Sequence, residues 1–259
     1  MPELADGLIT PDDLKSLALT NYGHYTSMRA DDRRVCGLSL HMDRLVRDCR
    51  SVFNADLNRE NVRELIRNVI RNKEGSFSIR VTVFDPNLQI GEPGKSAHPR
   101  VLVTTRPVPS LPGSAIRVQT LTYRRELPLV KHIGLFGSLW YRRAAQLRDF
   151  DDALFIDERS FVGEGTTWNI GFFDGDRVVW PAAEVLPGVT MTLLQQIHEQ
   201  TITAPINVSE IADMKAAFAA NATVGVRPIK AINDSIFPED HPIFETLGKE
   251  YSEISTETL

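Results

Sequence analysis

The chain has 259 residues, 42% hydrophobic and 24% charged, which is ordinary globular composition with room for one large domain or two smaller ones. Its net charge of -5 gives no reason to expect nucleic acid or an acidic membrane surface as a partner. Two cysteines, Cys36 and Cys49, make no disulfide framework, no Cys/His cluster has zinc spacing, and no leader-like or membrane-length apolar segment stands out. A cytoplasmic setting without metal or membrane is the expectation.

In chain order, Thr10-Pro11-Asp12-Asp13 has the signature of a short helix start: a capping threonine, proline in the first turn, then acids. Asn21 to Met28 alternates polar and aromatic residues as a strand does. Ala30-Asp31-Asp32 is a turn, and Val35 to Leu40 is the return strand. His41 to Asp48 opens a helix with Met42, Leu45 and Val46 on one face. Leu57-Asn58-Arg59-Glu60-Asn61 caps a second helix that runs to about Asn72, with Val62, Leu65, Ile66, Val69 and Ile70 as its apolar face. Two strands, 77–84 and 101–105, follow around a Pro/Gly-rich loop. The pattern predicts an α+β layer, with both helices on one face of an antiparallel sheet.

The Pro-rich run 107–113 is the best linker in the chain, so the expected domains are 1–106 and 114–259. Beyond it, 115–123 alternates as a strand and 134–148 is a helix with Leu135, Leu139, Ala144 and Leu147 apolar. Lys131 follows the apolar, Pro-containing segment Leu127–Val130, which suits a lysine entering a partly buried site. Burial lowers an amine's pKa, and a neutral amine is what Schiff-base chemistry needs. Trp168–Phe173 and Arg177–Trp180 flank the turn Asp174-Gly175-Asp176 as a hairpin. Leu186-Pro187-Gly188-Val189-Thr190 then opens a helix, whose free N–H groups can hold an anion. A last helix runs from Pro242 to about Ser252.

Glu164-Gly165, Asn169-Ile170 and Leu186–Thr190, in this order and spacing, resemble the signature of the class IV aminotransferases. These are fold-type-IV pyridoxal-phosphate enzymes, including branched-chain aminotransferases, D-amino acid transaminases and 4-amino-4-deoxychorismate lyases. The resemblance runs from about Tyr22 to Pro228. It implies a two-domain α+β fold of the D-amino acid aminotransferase-like kind, with pyridoxal 5'-phosphate as cofactor and a homodimer as assembly. Carried over residue by residue, it makes Lys131 the Schiff-base lysine, with the large domain carrying it. Glu164 becomes the carboxylate beside the pyridine nitrogen. Arg44, in His-Met-Asp-Arg-Leu, becomes the phosphate arginine. Val189, Thr190, Asn221, Ala222 and Thr223 become further phosphate contacts, and Tyr22 a lining of the substrate pocket.

The match departs from the family's pattern in the N-terminal stretch, at Met191 where arginine is common, and at His132-Ile133-Gly134 after the lysine. Amino transfer between an amino acid and a 2-oxo acid is the leading expectation. Asn221 is reminiscent of the lyases, which makes pyruvate elimination the alternative. A non-catalytic module of the same fold is the second alternative.

Overall fold

The computed structural model describes residues 3–4, 7–108, 111 and 113–259. Of the expected linker, Pro109, Ser110 and Pro112 lie outside the described residues. The chain divides into two compact units. One is Met1–Val108 with Val130–Gly134 and Ser255–Leu259; the other is Pro109–Leu129 with Leu135–Ile254.

The first unit begins with a short antiparallel pair, β1 (Glu3–Leu4) and β2 (Gly7–Leu8). Helix α1 (Pro11–Thr20) follows, capped reciprocally by Thr10 and Asp13. Next come β3 (His24–Asp31), β4 (Arg34–Cys36), α2 (Leu38–Phe53), α3 (Arg59–Ile70), β5 (Ser76–Phe84) and β6 (Arg100–Pro107). The sheet is antiparallel, ordered C-terminal strand Thr256–Thr258, β4, β3, β5, β6. The return strand is shorter than its sequence suggests because Gly37, at φ 67°, turns the chain into α2 from Leu38. Met42, Leu45, Leu65 and Ile66 of the helices pack with Met28, Ile79, Val81 and Val103 of the sheet. Each such burial stabilises the layer by about 1.5–3 kcal/mol.

Sequence places Lys131 in the second domain, yet Val130–Gly134 belongs to the first unit. The cause is backbone hydrogen bonding. Tyr25 N–H donates to the Lys131 carbonyl at 2.8 Å, and Ile133 N–H to the Gly23 carbonyl at 3.0 Å. The segment therefore runs along the start of β3 as a short added strand.

The second unit contains β7 (Ile116–Thr122), α4 (Phe136–Gln146), β8 (Asp152–Ile156), β9 (Val162–Gly165), β10 (Asn169–Phe173) and β11 (Val178–Pro181). It continues with α5 (Val189–Ile197), β12 (Thr201–Ala204), β13 (Ala216–Asn221), β14 (Gly225–Ile232), β15 (Ser235–Ile236) and α6 (Pro242–Glu253). Its sheet is ordered β12-β11-β10-β13-β14-β7-β8-β9, and β9 pairs back onto β10 to close a ring. Strand β13 shows the two faces by alternation. Ala217 and Ala219 join Ile170, Phe172 and Ile229 in one cluster. Phe218 and Ala220 join Trp180, Leu194 and Leu247 in another, under α5 and α6.

Helix α4 differs from its predicted apolar face. Ser138 and Ala145 are its buried residues, while Leu139 and Leu147 are exposed together with Phe136 and Trp140. Small side chains let the helix lie close to Ala153 and Phe155, which turns its larger apolar residues outward.

Gly23 has φ 154°, and a Cβ there would stand 2.4 Å from the Val83 carbonyl oxygen. Gly23→Ala is expected to cost at least about 2 kcal/mol. An unchanged urea midpoint would contradict the packing of this turn.

Candidate active site

In the first unit the site is built on one face of α2. His41, Arg44 and Asp48 recur at helical spacing and are all buried. Arg44 donates to Thr26 Oγ1 at 2.5 Å and lies 3.3 Å from His41 Nδ1. Thr26 Oγ1 is 2.7 Å from the same nitrogen. A guanidinium only donates, so His41 Nδ1 is the acceptor and the ring carries its proton on Nε2. Burial holds the His41 pKa well below its ordinary value, and the charges of Arg44 and Lys131 lower it further. His41 is therefore neutral.

Arg44 is 5% exposed, and burial lowers its pKa to about 10. Its hydrogen-bond partners among the described residues, Thr26 and His41, are both neutral, and its Nε has no acceptor. A buried cation so placed is costly; the charge of Asp48 offsets part of that cost, and an anion bound at the open donor would offset more. The donor set fits a phosphate.

Lys131 lies along the start of β3, close enough to His41 for its charge to act on that ring. Its Nζ stands 4.9 Å from the centre of the Tyr25 ring, and the Arg80 guanidinium covers the same ring at 3.6 Å. Arg80 also lines a cleft of about 400 Å³ with Arg106, Thr82, Thr104 and Asn21. Tyr22 is 41% exposed, not a core residue. Its ring meets Phe53 edge-on, and its hydroxyl donates to the Val52 carbonyl.

In the second unit Glu164 is the next-to-last residue of β9 and is buried. Its Oε1 lies 3.4 Å from Arg125 Nε, and its Oε2 accepts the Leu186 N–H at 3.2 Å. Asn169 donates to the Leu186 carbonyl at 2.8 Å. The two motifs are thus physically joined: Glu164 and Asn169 grip both backbone groups of the residue that begins Leu-Pro-Gly-Val-Thr. Gly188 leaves room for this grip: a Cβ there would come 2.1 Å from Asn169 Oδ1 and would force that side chain to shift. Below Glu164, Asp152 accepts from Arg142, Thr166 and the Trp168 indole, which braces the loop between β9 and β10.

Helix α5 starts at Val189 with Gly188 as N-cap and no side-chain cap. Its first-turn N–H groups form the expected anion position. Buried Thr190 has its hydroxyl 3.2 Å from the Tyr251 hydroxyl. The Asn221 side chain accepts from the N–H groups of Thr223 and Val224, shaping the β13–β14 turn that includes Ala222. Its oxygen is therefore committed to the turn.

Sequence reasoning passed over Tyr25, Arg80 and Asp48, whose types and positions read as ordinary strand and helix residues. Only the fold joins Arg125 to Glu164.

A profile of the amino-transferase class IV family matches residues 23–232. The chain belongs to that family, and it is an aminotransferase. A probable branched-chain-amino-acid aminotransferase of Rickettsia bellii is 27% identical over 279 residues, covering 96% of this chain and 94% of that one. A Legionella pneumophila protein provisionally named a 4-amino-4-deoxychorismate lyase has the same fold, with TM-score 0.84, 20% identity and 96% of each chain covered. So does a hypothetical aminotransferase of Mycobacterium tuberculosis in its pyridoxal-phosphate-bound form, with TM-score 0.81, 17% identity and 97% of each chain covered. Among the described residues no helix is long and apolar enough to cross a membrane.

His24 is fully buried with neither ring nitrogen hydrogen-bonded, and burial lowers its pKa to about 3. Below the ordinary histidine pKa of 6.5 the unfolded chain takes up protons that native His24 and His41 refuse. Stability therefore falls as pH falls, with up to about 1.4 kcal/mol per pH unit from each. His24→Leu is expected to flatten the dependence between pH 6 and 4.5 by nearly one proton in urea titrations. Equal slopes in variant and wild type would show that His24 takes up its proton in the native state.

Proposed function

We propose that pyridoxal phosphate is the cofactor and that Lys131 anchors it covalently. The reaction is amino transfer between an amino acid and a 2-oxo acid. One observation carries this reading: the buried Arg44 guanidinium, held by neutral partners and lacking an acceptor at Nε. Arg44 would hold the phosphate. By family resemblance, the backbone of Val189 and Thr190, the Thr190 hydroxyl and the turn formed by Asn221, Ala222 and Thr223 are its further candidate contacts. When bound, the cofactor supplies a carbonyl carbon for the amino group and an electron-withdrawing ring.

The chain's own residues do the rest. Lys131 provides the amine that holds the carbonyl carbon and moves the substrate's α-proton. Glu164 keeps a proton at the pyridine nitrogen, and Arg125 balances its charge. Arg80, stacked on the ring that also carries the Lys131 ammonium, is placed to receive a substrate carboxylate. Tyr22 borders the substrate side. Relatives named for branched-chain amino acids make these the first donors to test.

A visible absorbance band that borohydride fixes onto Lys131 is expected on adding pyridoxal phosphate. Lys131→Ala should lose the band and about 10²–10⁴-fold in turnover. No band in the wild type with excess cofactor would overturn the assignment in favour of a non-catalytic module. Product formation that needs a 2-oxo acid supports transamination. Pyruvate released without an acceptor would move the assignment to a lyase, the reading that Asn221 suggests from sequence alone.

The assembly we propose is a homodimer in the cytoplasm. The support for the dimer is the exposed aromatic face of α4, where Phe136 and Trp140 stack at 6.1 Å beside Leu139. Trp140→Glu is expected to leave a monomer in light scattering. An unchanged dimer mass would place the interface elsewhere.

A further inference from the structure

We propose that Asp48 is a positioning residue for Lys131, tying the helix that carries Arg44 to the lysine's backbone; this rests on the reading of Lys131 as the covalent anchor. Asp48 lies four residues after Arg44 on α2, so the two share one helical face. It is fully buried. Its Oδ2 accepts the Lys131 backbone N–H at 3.0 Å. Its Oδ1 accepts from the Arg47 guanidinium at 3.0 and 2.8 Å. From β3, Tyr25 N–H donates to the Lys131 carbonyl at 2.8 Å. Both backbone polar groups of the lysine are thus held, one by α2 and one by β3.

The choice of a carboxylate is informative. Burying an ionised group is expensive, and a neutral acceptor would satisfy one amide at lower cost. What the charge adds is a stronger, more directional bond to that amide. Arg47 leads from the buried carboxylate toward solvent, with its own side chain about half exposed, and offsets part of the cost. A lysine side chain is long and flexible, so the position of its Cα sets where the amine can reach. Fixing that Cα to α2 keeps the amine in register with Arg44 on the same helix. Small misplacements of a reacting group cost about 10²-fold in rate.

Two measurements test this. One is hydrogen–deuterium exchange of the peptide containing Lys131 in cofactor-free protein. The other is the rate at which added pyridoxal phosphate becomes fixed to Lys131 by borohydride. In Asp48→Ala, exchange is expected to quicken and attachment to slow, each at least about tenfold. Asp48→Asn keeps a carbonyl acceptor for the amide and is expected to restore both to within about threefold. Inorganic phosphate should still protect all three proteins from thermal unfolding, since Arg44 is retained, and at least as strongly in the two variants that lose the Asp48 charge acting on it. If Asp48→Ala does not fold, Asp48→Ser takes its place.

Wild-type exchange and attachment in the truncated variant would overturn the proposal. So would slow attachment in Asp48→Asn with exchange restored, because the carboxylate would then act by charge and not by position. No attachment in the wild type would overturn the cofactor reading itself. The exchange result, which needs no cofactor, tells the two failures apart.

Discussion

The buried polar seam between α2 and β3 is the constraint on which the first unit's chemistry depends. Helix–sheet interfaces are normally apolar, and most of this one is: Met42, Leu45 and Cys49 pack on Met28, Ile79 and Val81. Through it run Thr26, His41, Arg44 and Asp48, every one buried. Such a seam is stable only when its members satisfy one another. Thr26 accepts from Arg44 and donates to His41, while Asp48 takes Arg47 and the Lys131 amide. His41 Nε2 and Arg44 Nε remain without partners. The dissatisfaction is thus concentrated on donors, which is the condition for capturing an anion.

The second unit solves a complementary problem, that of presenting a helix start at a fixed place. Leu186 N–H goes to Glu164 and its carbonyl to Asn169, so the loop before α5 is held at one residue by two neighbouring strands. The register of β9 against β10, with Glu164 opposite Asn169, makes that grip possible. Asp152 secures the intervening loop through Arg142, Thr166 and Trp168. A slip of one residue would turn both gripping side chains to the other face of the strands.

Motifs whose parts are close in sequence were legible from sequence alone. The hairpin at 169–181, the Gly188 start of α5 and a helix cap within 57–61, which the structure places at Asn58, follow from local turn and cap chemistry. The helix–sheet layering of the first half followed from periodicity. What sequence could not reach was long-range. Lys131 lies more than eighty residues from Asp48, and its capture by β3 depends on backbone hydrogen bonds that no side-chain pattern records. Helix α4 misled for a different reason. Its periodic leucines imitate a core face, whereas the fold uses the small Ser138 and Ala145 for close packing. Arg80 and Tyr25 alternate along strands like many surface residues. Only the strand register, with Ser27 opposite Arg80 and Tyr25 opposite Thr82, lays the guanidinium on the ring.

The protonation of His41 completes the electrostatic logic of the first unit. A charged imidazole next to Arg44 would add a second buried cation and repel Lys131 as well. Burial and those two cations act in the same direction, so the ring stays neutral, and a neutral ring can accept at Nδ1 from Thr26. That acceptance orients the Thr26 oxygen toward Arg44, so the guanidinium is held by neutral dipoles and not by a carboxylate that would compete with a phosphate. The nearest acid on the helix face, Asp48, is already engaged by Arg47 and by the lysine backbone. Helix α2 therefore uses one carboxylate to place the lysine and leaves one arginine to meet the anion, a division of labour set by residues four apart on a single turn.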